Sequence, residues 1–156
     1  MAAKKMAIIA TKGALDMAYP PLILASTAAA LGWEVQIFFT FYGLQLLRKN
    51  LNGIRISPLA NPAMPMPVPM PVIVSVLPGM EAMATMMMKD KMKKKGVASL
   101  EELRSLCLEA DVKFIACQMT VDLFEFQTSE FIDGIEYGGA ATFMKFAGET
   151  DVCLFI

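Results

Sequence analysis

The chain has 156 residues, room for a single domain. Hydrophobic residues make up 56% and charged residues 19%, an apolar surplus that points to subunit contact, membrane contact or both. The net charge of −1 argues against nucleic acid, whose phosphates need a clearly basic face.

In chain order, Lys5–Thr11 (KMAIIAT) is a short apolar run that reads as a buried strand ending in a Thr-Lys-Gly turn. Pro20–Leu31 is rich in Leu and Ala and closes at Gly32, which predicts a helix with proline in its first turn. Trp33–Thr40 is β-branched and aromatic, a second strand, and Phe41–Lys49 a short helix. Strand, helix, strand, helix at this spacing is a βαβ pattern and implies a parallel sheet. Ser57–Gly79 then carries eight prolines and glycines and predicts an extended Pro/Met-rich insertion. A helix follows from Gly79 through Met92, and another from Ser99 to Ala110, where S-L-E-E sets up a capping box with Glu102. Val112–Ala116 is a strand, Thr120–Phe126 a short helix and Ser129–Asp133 a helical turn. Gly134–Tyr137 leads into a brief strand, Ala140–Phe146 is a helix and Val152–Ile156 a last strand. The expected architecture is therefore α/β, with about five mainly parallel strands covered on both faces.

Signals for targeting and membranes are weak. Lys12 interrupts the first apolar run and no small-residue cleavage site follows, so no signal peptide is expected. The longest uncharged stretch, Ile56–Met80, holds seven prolines and cannot keep its backbone bonded as a spanning helix. A cytoplasmic protein is expected, with peripheral membrane contact left open.

The residue inventory narrows the chemistry. There is no histidine, which excludes Ser-His-Asp and Cys-His catalysis, imidazole general bases and histidine metal sites. Three cysteines cannot form a disulfide framework and suit a reducing compartment. Cys117 follows a strand directly and precedes a helix, at the carboxyl end of the sheet where open α/β proteins bind ligands. A helix N-terminus stabilises a thiolate, and Lys12 or Lys113 is available to assist. The same residue also reads as a buried core thiol, and position alone leaves both readings open. Cys107 has apolar neighbours at helical spacing and reads as core, with a second reactive thiol as the alternative. Cys153, in the terminal apolar strand, reads as structural. Nine of the fourteen methionines fall between Met64 and Met92. Met64, Met66 and Met70 could offer thioethers to Cu(I), although an adaptable contact surface explains them better. The run KDKMKKKG reads as a solvated basic helix end, and Gly138-Gly139 as a weak signal for close approach to a ligand.

Thr11-Lys12-Gly13 with LDMAYPPLILA, IFFTFYGL, NPAMPMPVPMP, LPGMEAMATMMMK, VKFIACQMTVD and IDGIEYGGAATF together resemble the DsrE/DsrF-like (DsrEFH) family, in its longer, peroxiredoxin-like branch. The resemblance covers nearly the whole chain, and ACQMT is its most specific piece. It implies a flavodoxin-like three-layer fold, a single such domain over residues 1–156 and assembly into a homo-oligomer. It further implies sulfur carriage as persulfide or thiosulfonate on Cys117, exchanged with sulfane-sulfur compounds and a small carrier of the TusA type. Lys12, Gly13 and Thr120 would support that thiol, and no cofactor is called for. Two other classes remain: a non-catalytic assembly or membrane-docking module, and a Cu(I) carrier.

Overall fold

The structure is a computed structural model describing residues 2–58, 63, 65, 67, 68 and 70–156. Its elements run β1 (Lys5–Ala10), α1 (Leu15–Ala30), β2 (Glu34–Phe39), a 3-10 helix (Phe41–Leu47), α2 (Val72–Ser75), α3 (Met80–Lys94), α4 (Leu100–Glu109), β3 (Lys113–Cys117), α5 (Gln118–Leu123), a 3-10 turn (Thr128–Glu130), β4 (Glu136–Gly138), α6 (Ala140–Ala147) and β5 (Val152–Phe155). The strands form one sheet in the order β4-β3-β2-β1-β5. Every pairing is parallel, so all strand carboxyl ends lie along one edge.

Alternation along the strands separates two apolar layers. Met6, Ile8 and Ala10 of β1, Val35, Ile37 and Phe39 of β2, and Phe114 and Ala116 of β3 pack under α1 and α4, with Leu15, Leu22, Leu103 and Cys107 facing them. The intervening residues Ala7, Phe38, Ile115 and Cys117 pack under α6 through Phe143 and Phe146. Phe38 and Phe143 stack with ring centroids 5.0 Å apart. This is the expected three-layer α/β arrangement, with one face covered far more thinly than the other.

Several boundaries depart from the sequence expectation. Helix α1 starts at Leu15, five residues before Pro20, and both Pro20 and Pro21 lie inside it. The Leu15 N–H donates to the Arg55 carbonyl at 2.7 Å. Asp16 accepts from the Ser57 amide and hydroxyl, both at 2.8 Å. The returning chain thus fixes a first turn that the prolines alone would not select. The segment after β2 is a 3-10 helix rather than an α-helix. The stretch expected to be extended contains α2. The expected capping box on α4 is present, with Ser99 N–H donating to Glu102 at 2.7 Å and Glu102 N–H to Ser99 Oγ at 3.2 Å.

Edge strand β5 carries Cys153 on its exposed side rather than in the core. By register Cys153 stands beside Ala7 and Phe155 beside Ile9, on the α6 side, where the single helix leaves both exposed. No helix among the described residues is long and apolar enough to cross a membrane.

Candidate functional site: a thiol at the carboxyl end of β3

Cys117 is the last residue of β3 and the residue that leads into α5. The helix expected from Thr120 begins at Gln118, which brings its first turn against the thiol. The sharp change from strand to helix at Cys117 (φ −66°, ψ 109°) keeps its side chain on the α6 side, packed with Ile115, Phe38 and Phe143. The residue is 4% exposed.

Two threonines close over the same point. Thr120 is fully buried, and its Oγ1 lies 3.2 Å from Thr40 Oγ1 at the end of β2. The Phe41 amide donates to Thr120 Oγ1, also at 3.2 Å. Burial pushes the Cys117 thiol up, but the Thr120 hydroxyl and amide, the Thr40 hydroxyl and the Met119 amide together outweigh it, leaving the thiol below its ordinary value. Cys117 forms no strict cap bond; several looser donors around the sulfur act jointly to favour the thiolate. Lys12 and Lys113 are not among them. Lys113 begins the strand that Cys117 ends, so the two stand four residues apart, about 13 Å along an extended strand.

Gly138, singled out only weakly in the sequence, pairs with Cys117 in the β3–β4 ladder. Parallel partners share a face, so Gly138 places no side chain of its own beside Cys117. A Cβ at Gly138 would touch Thr142 at 3.4 Å.

Gly13 has a different role. A Cβ there would come within 2.5 Å of the Tyr42 carbonyl oxygen, so glycine lets the loop after β1 press against the 3-10 helix. Gly13 also lines a recess of about 490 Å³ with Gln45, Arg48, Arg55 and Glu81, a wall to which Cys117 does not contribute. Lys12 beside it is exposed.

Cys107 is fully buried in α4; its Sγ donates to the Leu22 carbonyl at 3.4 Å, and burial pushes the thiol up to about 11. A buried, protonated thiol is a poor second nucleophile. Among the described residues no group of three or more Cys, Asp or Glu side chains is placed to hold a metal ion. Met64 and Met66 lie outside the described residues.

Sequence reasoning missed Thr40 and the Met119 amide. Thr40 lies 77 positions before Cys117, just after β2, and the β2–β3 pairing brings it to the sulfur.

Fold and site together define a class: a three-layer α/β protein with a parallel sheet in the order β4-β3-β2-β1-β5 and, at its carboxyl edge, a thiol drawn below its ordinary value by its neighbours. The model of the DsrE/DsrF/DrsH-like family matches residues 2–155, and the chain belongs to that family. It is 68% identical, over the full length of both chains, to the Sulfur carrier protein DsrE2 of Allochromatium vinosum. It is 34% identical to YrkE of Bacillus subtilis, over 98% of this chain and 97% of that one. Among solved structures it is similar to the ychN protein of E. coli, with a TM-score of 0.55 and 13% identity over 98% of this chain and 99% of that one, a likeness of fold.

Proposed function

We propose that the protein is a sulfur carrier that holds sulfane sulfur on Cys117. The observation that carries this reading is the Cys117 environment, where a thiol at a strand end is drawn below its ordinary value by donors from two adjoining elements. Membership of a family that includes a protein named as a sulfur carrier supports it. The required chemistry is modest. The Cys117 thiolate attacks a sulfane sulfur of the donor, a new S–S bond forms at Sγ, and the donor's old S–S bond breaks with its electron pair leaving on the departing sulfur. Polysulfide would leave a persulfide. Tetrathionate would leave an S-thiosulfonate and release thiosulfate. Neither exchange needs histidine, a metal or an external oxidant.

Thr120 and Thr40 act on this reading as positioning residues that favour the thiolate. Lys12 and Gly13 belong to the loop after β1, one strand removed from β3, and contribute through the shape of that edge. Cys107 stays a core thiol. A small carrier of the TusA type is the exchange partner and the working form a homo-oligomer. The three free cysteines suit a reducing, cytoplasmic setting.

Mass spectrometry of protein treated with polysulfide or tetrathionate tests the assignment. Adducts of about +32 and +112 Da are expected on Cys117, and Cys117→Ser should lose them while Cys107→Ser and Cys153→Ser keep them. Equal loading of Cys117→Ser would overturn it.

A further inference from the structure

We propose that the surface around Cys117 docks a protein presenting its acceptor thiol among basic and apolar residues, an inference that rests on the carrier reading above. The side chains that surround the thiol's strand end are unusually apolar for exposed positions. Tyr42 is 66% exposed, Met119 and Leu123 are each 59% exposed, and Phe41 and Phe124 stand out beside them. All five lie on the 3-10 helix or on α5 and its last turn, the two elements that meet at Thr120. Tyr42 and Phe124 stack with centroids 6.2 Å apart and planes 13° apart, while Phe41 meets Phe124 edge-on at 6.3 Å. Rings held against each other lose little freedom when a partner covers them, which suits a recognition surface.

The backbone at Phe41 points the same way. Its φ of 48° lies in the left-handed region, which costs energy for a bulky residue and marks places where position matters. Its amide is held by Thr120 Oγ1, a hydroxyl that also draws down the Cys117 thiol. The ring cluster and the nucleophile are therefore tied to one side chain.

Charge selects the kind of partner. Residues 114–144 contain five carboxylates and no lysine or arginine. Glu130 is paired with Arg48 at 3.2 Å, whereas Asp122 and Glu125 flank the aromatic cluster on α5 and its last turn. Such a surface attracts a basic face. A second copy docking face to face through the same cluster would bring like charges together. Side chains this exposed offer a surface for a macromolecule rather than an enclosed pocket.

The transfer step balances without a co-reactant. The partner's thiol sulfur bonds to the outer sulfur of the Cys117 persulfide, the Sγ–S bond breaks with its electron pair going to Sγ, and the thiol proton follows to Sγ. Products are a partner persulfide and the Cys117 thiol, and the sulfane sulfur keeps its oxidation level.

The test loads the full-length protein with polysulfide and follows sulfur transfer to three acceptors: glutathione, a short peptide with one cysteine among lysines and leucines, and its twin with glutamate for lysine. The basic peptide should accept about ten-fold faster than the acidic one at low salt, with the advantage shrinking as ionic strength rises. Asp122→Asn with Glu125→Gln should flatten that preference. Tyr42→Ala with Phe124→Ala should slow transfer to the basic peptide about ten-fold while leaving glutathione within about two-fold. Equal rates for the two peptides, or aromatic variants that slow all acceptors alike, would overturn the proposal. So would dissociation of a native oligomer by Tyr42→Asp, which would make the cluster a contact between copies. Failure of the wild type to load sulfur at all is a separate result, and it would sink the carrier reading and this one with it.

Discussion

Thr120 joins three roles at a single hydroxyl. It lies 3.2 Å from Thr40 Oγ1, accepts from the Phe41 amide and draws down the Cys117 thiol. Thr120→Val keeps the shape and removes the hydroxyl, so the alkylation midpoint of Cys117 should move to higher pH. Losing about 1 kcal/mol of hydrogen bonding corresponds to roughly five-fold slower labelling at neutral pH. Thr120→Ser should restore most of the rate, and an unchanged midpoint in the valine variant would remove Thr120 from the site. Cys107 behaves oppositely. Its buried thiol is raised to about 11 from an ordinary value of 9.0, so the folded state holds a proton that the unfolded chain releases. That contribution is fully present below about pH 9 and is lost as pH rises through 11. Cys107→Ala should therefore flatten the alkaline fall in stability seen in urea titrations from pH 8 to about 11.

Helices and strands differ in how much of their origin is local. The α4 start was legible because Ser99 and Glu102 satisfy each other's backbone amides within four residues. Ser99→Ala should accordingly cost about 1 kcal/mol, read as a lower thermal midpoint with Cys117 labelling unchanged. The strands were legible for a similar reason, since short apolar runs between turn residues have few alternatives. The α1 start was hidden, because Leu15 and Asp16 are fixed by Arg55 and Ser57, some forty residues on. The 3-10 helix was hidden as well. A Cβ at Gly43 would overlap the Ala10 carbonyl oxygen, so the segment crowds the end of β1 more closely than its own sequence discloses. Cys117 was legible as a residue at a strand end. Thr40, which helps to define its chemistry, depends on the pairing of β2 with β3 and has no signature of its own.

At the scale of the molecule, the apolar surplus is distributed unevenly. Some of it fills two layers of very different thickness. Some stands exposed on α2 and α3, where Val72, Ile73, Val76 and Met86 are each more than two-thirds exposed. The thin layer bears on function, because Cys117 packs under α6 and depends on Phe143 and Phe146 for its apolar cover. Phe143→Ala should cost about 3–5 kcal/mol by emptying a fully packed site, and it should also open the face on which the thiol lies. Leu22→Ala, a buried change in the opposite layer, should cost about 2–5 kcal/mol without exposing that face. Labelling of Cys117 in native buffer, normalised to global stability from urea titration, separates the two effects. It should rise in Phe143→Ala beyond what lost stability explains and follow stability alone in Leu22→Ala. If both variants fell on one line of rate against stability, α6 would be no specific cover for the thiol, and access to Cys117 would depend on opening of the whole fold.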